Sequence, residues 1–144
     1  MEVLLEHGPH AVVQAAELVS WLASRLGWRV QEGKFRPGVD LSWHFAGPRG
    51  PIEVCIRRLD QGPPAIRRLR VASSQTAAVN VEVAEEGRLA ARPEEAGAAA
   101  RTITIPPMPL AELVGQQLSD RQRDPVFRES MALARVLAQS VLGG

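Results

Sequence analysis

The sequence contains few cysteine, lysine, asparagine and aromatic residues, and it contains no tyrosine. A single cysteine, Cys55, excludes an intramolecular disulfide framework, a cysteine-rich zinc site and a dithiol switch within the chain. No apolar run approaches the roughly 18 residues of a transmembrane helix, so we predict no membrane contact. The first seven residues include two acids and lack the basic start and long apolar run of a signal peptide. We therefore expect a cytoplasmic protein.

The residues that are present have an ordinary globular balance. The chain has 144 residues, of which 45% are hydrophobic and 23% are charged, values typical of one folded domain that spans residues 1–144. Seventeen basic and sixteen acidic residues leave a net charge of +1. This charge is too small for a dedicated nucleic-acid or membrane-surface protein.

An amphipathic helix is predicted over residues 9–26. Pro9 suits the first helical position, Gly27 provides a left-handed stop, and Arg25 complements the helix dipole in the last turn. Apolar residues recur at three- and four-residue steps and form one stripe, which comprises Val12, Ala15, Ala16, Val19, Leu22, Ala23 and Leu26.

The middle of the chain is predicted to form about five to six strands. Residues 41–45, 52–56 and 79–83 alternate apolar and polar side chains, as strands with one buried face do. Residues 66–71 have an irregular apolar spacing and form a weaker candidate, and residues 102–105 form the last one. Short connections rich in glycine and proline separate these runs. We therefore expect a mostly antiparallel sheet, because parallel neighbours need long crossovers.

Two C-terminal helices complete the predicted fold. Pro109 begins the first, whose apolar face comprises Leu110, Leu113, Val114 and Leu118. Asp124 caps the second, which starts at Pro125 and has a predicted buried stripe of Phe127, Met131, Ala134, Leu137, Ala138 and Val141. The predicted class is α+β: an N-terminal helix, then the sheet, then two helices packed on one sheet face.

Patterns that carry catalysis are weak. His7 and His10 have a metal-like spacing, but Gly8 and Pro9 separate them and no third ligand follows, so we interpret both as surface histidines. His44 is expected on the solvent face of a strand, and Cys55 is expected to be an unreactive thiol. Residues 47–51 are rich in glycine but lack the phosphate-loop pattern. We therefore predict no catalytic residue, no cofactor and no metal.

One arginine cluster is a candidate anion-binding or partner-binding surface: Arg57, Arg67, Arg68 and Arg70. These residues lie on two consecutive predicted strands, and if the strands pair as a hairpin, several guanidinium groups share a face. Three interpretations remain open, in order of preference: a solvated face, a surface for an acidic partner, and a patch for phosphate ligands or nucleic acid. The strands carry no aromatic residue for base stacking, which disfavours nucleic acid.

Two segments resemble a known family. Residues 21–28, WLASRLGW, are similar to the Trp-Leu-Ala-x-Arg-Leu-Gly-Trp signature of the glucose-6-phosphate dehydrogenase assembly proteins of the OpcA type. Residues 109–114 and 124–127 resemble that family's C-terminal pattern, in which a Leu-x-Glu-Leu-Leu helix precedes Asp-Pro-Val-Tyr; here Phe127 replaces the tyrosine. The resemblance runs from the first predicted helix to the end of the chain and corresponds to the family's C-terminal domain.

The resemblance implies a non-catalytic assembly or allosteric factor that binds glucose-6-phosphate dehydrogenase and supports its active oligomer in the bacterial pentose phosphate pathway. The motif residues, which are Trp21, Arg25, Gly27, Trp28, Asp124 and Pro125, also have a structural explanation, since both tryptophans can anchor the helix on the sheet. A regulatory domain that binds a sugar phosphate or nucleotide through the arginine cluster is the alternative. Homo-oligomer formation stays open.

Overall fold

The structure, a computed structural model, describes residues 1–36, 40–74, 77–85, 88–95, 98–104, 109, 111–112 and 124–142. Its eight strands are β1 (Glu2–His7), β2 (Arg29–Arg36), β3 (Asp40–Gly47), β4 (Gly50–Arg58), β5 (Ile66–Ala72), β6 (Ala78–Glu85), β7 (Arg88–Pro93) and β8 (Arg101–Thr104). Two helices are described: α1 (Val12–Leu26) and α2 (Pro125–Leu142).

All eight strands belong to one sheet in the order β2-β3-β4-β1-β5-β6-β7-β8. The first strand of the chain therefore lies in the middle of the sheet. It pairs parallel with β4, where Leu5 is opposite Ile56, and antiparallel with β5, where Leu5 is opposite Leu69. Every other neighbouring pair is antiparallel. The parallel pair is possible because α1, β2 and β3 form the long crossover between β1 and β4.

The α+β class is confirmed, but the predicted strand count and helix arrangement are inexact. The sequence predicted five to six strands with a helix first, whereas β1 precedes α1 and the sheet has eight strands. β2 has a register shift between Val30 and Glu32, which breaks the period-two pattern expected of a strand. The condition considered for the arginine cluster, a hairpin of β4 and β5, is not met, because β1 lies between these strands.

Helix α1 ends where the sequence predicted and begins later than predicted. Gly27 adopts the left-handed conformation with φ of 66°, and the Trp28 N–H donates to the Ala23 carbonyl at 2.9 Å, so the helix closes as a glycine-capped terminus. Pro9 is not the first helical residue, because a turn at Pro9 and His10 precedes the helix. Helix α1 starts at Val12, and no side chain caps it.

The buried side of α2 includes only part of the predicted stripe, since Val141 packs against the core but Ala138 is exposed. Leu137 is buried, but Phe127 and Met131 are 52% and 42% exposed, and the buried side includes Ser130 instead. The Ser130 hydroxyl donates to the Val126 carbonyl at 3.0 Å. Because its hydroxyl is satisfied within the helix, this serine can be buried like a small apolar residue. In α1 the fully buried Ser20 bonds in the same way to the Ala16 carbonyl.

The start of α2 agrees with the sequence. The Asp124 carboxylate accepts hydrogen bonds from the backbone N–H groups of Val126 at 2.9 Å and Phe127 at 3.2 Å, as an N-cap residue does. Most of the other predicted C-terminal helix, including Leu110, Leu113, Val114 and Leu118, lies outside the described residues.

Helix α2 contacts the sheet at β3 and β2. The Trp43 indole is 2% exposed and donates to the Ser140 hydroxyl at 3.1 Å and to the Leu137 carbonyl at 3.3 Å. Gly33 lies opposite Trp43 on the neighbouring strand, and a β-carbon on Gly33 would collide with Trp43, Ser140 and Val141. The missing side chain at position 33 therefore lets α2 approach the sheet.

The core lies between the helices and the half of the sheet formed by β1 to β4. Its buried residues are Val3, Leu5, Ala15, Val19, Ala23, Trp28, Trp43, Phe45, Ile52, Val54, Ile56 and Leu137. On the other half, Val79, Val83 and Ile103 are between 40% and 52% exposed. Both described helices thus lie on one sheet face, as predicted, but they pack against part of it.

Replacing Gly33 with alanine tests the approach of α2 to the sheet. In an uncrowded strand this change stabilises a protein by roughly 0.5–1 kcal/mol, because glycine loses more backbone entropy on folding. Here we expect the opposite sign, a decrease of about 1–3 kcal/mol in the free energy of unfolding, because the new methyl group overpacks the contact. Urea unfolding followed by tryptophan fluorescence measures it. An unchanged or raised stability would contradict the described contact.

Candidate functional site

Three of the four candidate arginines lie on the sheet face opposite the helices. Arg57 is on β4, and Arg68 and Arg70 are on β5, with β1 between the two strands. The Glu6 carboxylate of β1 contacts both sides: its oxygens lie 3.9 Å from Arg57 Nη1 and 3.7 Å from Arg68 Nη1. The arginines are brought together across β1, and not by direct pairing of β4 with β5.

Further carboxylates neutralise these two arginines. Arg57 Nε lies 3.5 Å from Asp40 Oδ1, and Arg68 Nε lies 3.1 Å from Glu82 Oε1. Both contacts are ion pairs without aligned hydrogen bonds, since Asp40 Oδ1 and Arg68 Nε are buried and have no hydrogen-bond partner. Two guanidinium groups therefore face three carboxylates, counting Glu6. This balance leaves no excess positive charge there for a phosphate.

Arg70 forms a separate, better aligned cluster with Glu94 and Asn80. Arg70 Nε and Nη2 donate to the two Glu94 carboxylate oxygens at 2.7 and 2.8 Å, and Asn80 Nδ2 donates to Oε1 at 2.8 Å. The hydrogen bond from Arg70, followed by that from Asn80, lowers the pKa of Glu94 to about 2. The same pairing raises the pKa of Arg70. The cluster joins β5 to the segment that follows β7.

Arg67 differs from the other three arginines. It lies at a bulge, because β5 has one more residue than β1 between the pairs Glu6–Arg68 and His7–Ile66. No ion pair joins it to another residue of the described ranges. The predicted cluster is thus three arginines with carboxylate partners and one arginine beside them.

The carboxylates of this face are what the sequence reasoning missed. Their signal was available in β1, where Glu2, Leu4 and Glu6 alternate with Val3, Leu5 and His7 as strand residues do. Without a predicted strand at residues 2–7, the sequence does not connect Glu6 with the arginines.

The two tryptophans of the sequence motif have different environments. Trp28 is 6% exposed and packs against Phe45, with ring centroids 5.7 Å apart. Trp21 is 47% exposed, so the expectation that both tryptophans anchor α1 on the sheet is wrong for Trp21. The other motif residues cap helices: Gly27 ends α1, Arg25 lies in its last turn, and Asp124 and Pro125 start α2.

Trp21 lines a groove between the outer sides of α1 and α2. We call this feature the helix groove and define it by Glu17, Trp21, Phe127, Ser130, Met131 and Ala134. Its volume is about 220 Å³. Trp21, Phe127 and Met131 are each at least 42% exposed, so three large apolar side chains are available for contact.

The histidines and the cysteine are not brought together. His7 is 3% exposed, which corrects its interpretation as a surface residue, and His10 lies in the turn before α1. The side chain of His44 is 45% exposed and lies 3.9 Å from Glu32. Across the described ranges, no three His, Cys, Asp or Glu side chains converge as metal ligands do.

Cys55 lies on β4 and is half-buried. Burial, followed by the nearby Asp40 charge, raises the pKa of its thiol. A raised pKa lowers the fraction of thiolate, which is the reactive form of cysteine.

Within the described segments, neither helix has the length and apolar character to cross a bilayer.

The low pKa of Glu94 can be tested through its partner. In the wild-type protein we expect the Glu94 carboxyl carbon to titrate near pH 2 in an NMR experiment, and in an Arg70→Gln variant we expect the midpoint to move back toward 4.5. Because the folded-state pKa is depressed, the stabilisation from this carboxylate is present above pH 4.5 and is lost as the pH falls through 2. An Arg67→Gln variant serves as the control and should leave the midpoint unchanged. Equal midpoints in wild type and Arg70→Gln would contradict the described pairing.

Comparison with solved structures identifies the same fold in larger proteins. The dehydrogenase MviM from Clostridium difficile superposes with a TM-score of 0.56 at 11% identity, over 96% of this chain and 53% of that chain. A protein from Magnetospirillum magnetotacticum MS-1, named as a candidate oxidoreductase, superposes with a TM-score of 0.53 at 18% identity, over the same 96% and 53%. The chain thus spans about half the length of each, and at these identities the likeness shows a shared fold alone.

Comparison of sequences gives a more specific result. No protein of curated function matches this chain. A family model described as the C-terminal domain of the glucose-6-phosphate dehydrogenase subunit matches residues 2–131, which include β1, α1, the whole described sheet and the start of α2. The chain therefore belongs to this family of C-terminal domains of the glucose-6-phosphate dehydrogenase subunit, the OpcA type.

Proposed function

We propose that this protein binds glucose-6-phosphate dehydrogenase in the cytoplasm and supports its active oligomer without catalysing a reaction itself. The match of residues 2–131 to the C-terminal domain of a subunit of that enzyme is the observation that carries the proposal. A subunit acts by contact with other chains, so the structure must offer a surface that a partner can cover.

The helix groove is the surface that best fits this role. Tryptophan, phenylalanine and methionine are enriched at protein interfaces, and buried aromatic anchors supply much of the binding energy there. Trp21 and Phe127 are half-exposed on neighbouring helices, so one apolar segment of the dehydrogenase could contact both. Both residues also belong to the sequence segments that resemble the family.

The arginine face fits a partner less well. Arg57, Arg68 and Arg70 already have carboxylate partners, and exposed ion pairs contribute little net free energy. An acidic partner would have to displace Glu6, Glu82 or Glu94 before it gained new pairs. The alternative function is a sugar-phosphate or nucleotide site at Arg57, Arg67, Arg68 and Arg70. The same argument disfavours it, because three of these four arginines already have carboxylate partners.

The proposed function is tested with the glucose-6-phosphate dehydrogenase of the same organism. The two purified proteins should elute together in size-exclusion chromatography, and the specific activity of the enzyme should rise when this chain is added. Light scattering on the mixture should show a larger enzyme oligomer than the enzyme forms alone. Separate elution together with an unchanged rate would overturn the proposal.

Two substitutions test the helix groove as the contact surface. Trp21→Ala and Phe127→Ala should each weaken the complex by about 30-fold or more, as hot-spot truncations of roughly 2 kcal/mol do. Both side chains are half-exposed, so the fold should survive, which circular dichroism checks. Calorimetric titration of the enzyme with each variant gives the affinities.

Val136→Ala provides the matched control. Val136 is 45% exposed on α2, nine residues after Phe127 and about half a turn around the helix. It should bind like the wild type, and Arg67→Gln should do so as well. If Arg67→Gln weakens the complex and Trp21→Ala does not, the contact includes Arg67 and not the helix groove.

A further inference from the structure

We infer that the sheet half formed by β5 to β8 binds a segment of the same chain, residues 109–118, as an amphipathic helix beside α1. The register shows which side chains share one face of this half. Leu5 of the core lies opposite Leu69 of β5, which in turn lies opposite Val81 of β6. The apolar residues of β5 to β8 on this helix-bearing face, which we call the open sheet half, are Leu69, Val71, Val79, Val81, Val83, Leu89, Ala91 and Ile103.

The open sheet half is apolar and largely uncovered by the described helices. Helix α1 packs on β1 and β4, and α2 packs on β2 and β3, so both helices belong to the other half of the sheet. Val79, Val83 and Ile103 are consequently between 40% and 52% exposed. None of the eight side chains is polar. A contiguous apolar patch of this kind is typical of a binding surface, because apolar area removed from water contributes about 25 cal/mol per Å².

Helix α1 provides a wall along one side of the open sheet half. Helix α2 contacts the side of α1 that carries Glu17 and Trp21. Because a helix turns by about 100° per residue, Leu22 and Leu26 lie about 140° and 180° around α1 from Glu17. In the sheet order, β5 follows β1 on the side away from β2, so these two leucines face the open sheet half. The leucines and the open sheet half together form an apolar corner, in which Leu26 is 49% exposed.

The size of the corner suits one helix better than a second copy of the chain. Strands lie about 4.8 Å apart, so β5 to β8 span roughly 15 Å, and a run of five strand residues is roughly 17 Å long. The resulting area of about 250 Å² is well below the roughly 800 Å² that each partner of a stable protein complex buries. An α-helix of ten residues is about 15 Å long and about 10 Å wide. One such helix therefore fills most of the corner.

The path of the chain identifies this helix. β8, the outermost strand of the open sheet half, ends at Thr104, whereas α2 starts at Pro125 on the far side of α1. The connecting residues therefore start beside the open sheet half and have to pass α1. A segment tethered beside its binding surface docks at a high effective concentration. The connection contains apolar residues at three- and four-residue steps, which are Leu110, Leu113, Val114 and Leu118.

The described part of the segment agrees with this placement. Of residues 109–118, the structure describes Pro109, Ala111 and Glu112. Ala111 and Glu112 are helical, and the Glu112 N–H donates to the Pro109 carbonyl at 2.9 Å. Glu112 is exposed, and it lies on the side of the helix opposite Leu110 and Val114 because it is two residues from each. The apolar side is thus left for the open sheet half. This docking does not depend on the dehydrogenase, because the helix groove lies on the other side of α1.

Disulfide cross-linking of the full chain tests the docking. Cys55 is first replaced by serine, and Val81→Cys is then combined with either Leu113→Cys or Val114→Cys. On mild oxidation, at least one of these pairs should form a disulfide within the chain, which non-reducing electrophoresis and mass spectrometry detect. Val81→Cys combined with Glu112→Cys is the matched control. It should cross-link about tenfold more slowly or less, because Glu112 lies on the opposite side of the helix.

Dye binding provides a second readout that needs no cysteine. Leu113→Asp should undock the helix and raise the fluorescence of an anilinonaphthalene sulfonate dye severalfold, because the open sheet half becomes accessible. Glu112→Gln should leave the fluorescence unchanged, and circular dichroism checks that both variants are folded. The inference is overturned if the Leu113 and Val114 pairs cross-link no faster than the Glu112 pair, if the disulfides form only between chains, or if Leu113→Asp binds no more dye than the wild type.

Discussion

The structure depends on the placement of β1 between β4 and β5. One side of this strand carries Val3 and Leu5, which are 2% and 0% exposed in the core, and the other side carries Glu6 between Arg57 and Arg68. Burial of each such apolar side chain contributes about 1.5–3 kcal/mol. The strand therefore joins the two halves of the sheet by backbone pairing, by core packing and by charge. Without β1, the core would lose Val3 and Leu5, and Arg57 and Arg68 would lose their common partner Glu6.

The docking of α2 determines which surfaces the protein presents. Gly33 and Trp43 bring the helix onto β2 and β3, and the serines turned inward leave Phe127 and Met131 on the outside. The helix groove is thus a consequence of how the core is filled. On the opposite sheet face, arginines and carboxylates alternate across neighbouring strands and neutralise one another. The helix groove therefore offers apolar side chains for contact, and the opposite sheet face offers charges that are already paired.

The sequence predicted those parts of the fold that rest on local chemistry. Gly27 and Asp124 end and begin helices as expected, because capping involves only neighbouring backbone groups. Strands with regular alternation, such as β4, were also found. The position of β1 could not be predicted in this way, because it depends on pairing with residues more than 50 positions away in the sequence.

In the candidate site, too, the sequence predicted local features and did not predict those that depend on distant residues. The sequence identified the arginines of β4 and β5, but the net charge of their sheet face depends on Glu6 and Asp40, which other strands supply. The sequence also does not determine which side of α2 is buried, because a serine with a satisfied hydroxyl packs as well as a small apolar residue.

The central position of β1 has a consequence for how the chain folds. Strands β2 to β4 form one group and strands β5 to β8 form another. Within each group, neighbouring strands in the sheet are also neighbours in the sequence, so their pairing closes only short loops. β1 precedes both of its partners in the sequence, and those partners, Glu53 to Arg58 and Ile66 to Ala72, follow more than 50 residues later. Closure of these long loops makes such pairing slow. Until β1 pairs, β4 and β5 each keep an open strand edge that can pair with other molecules.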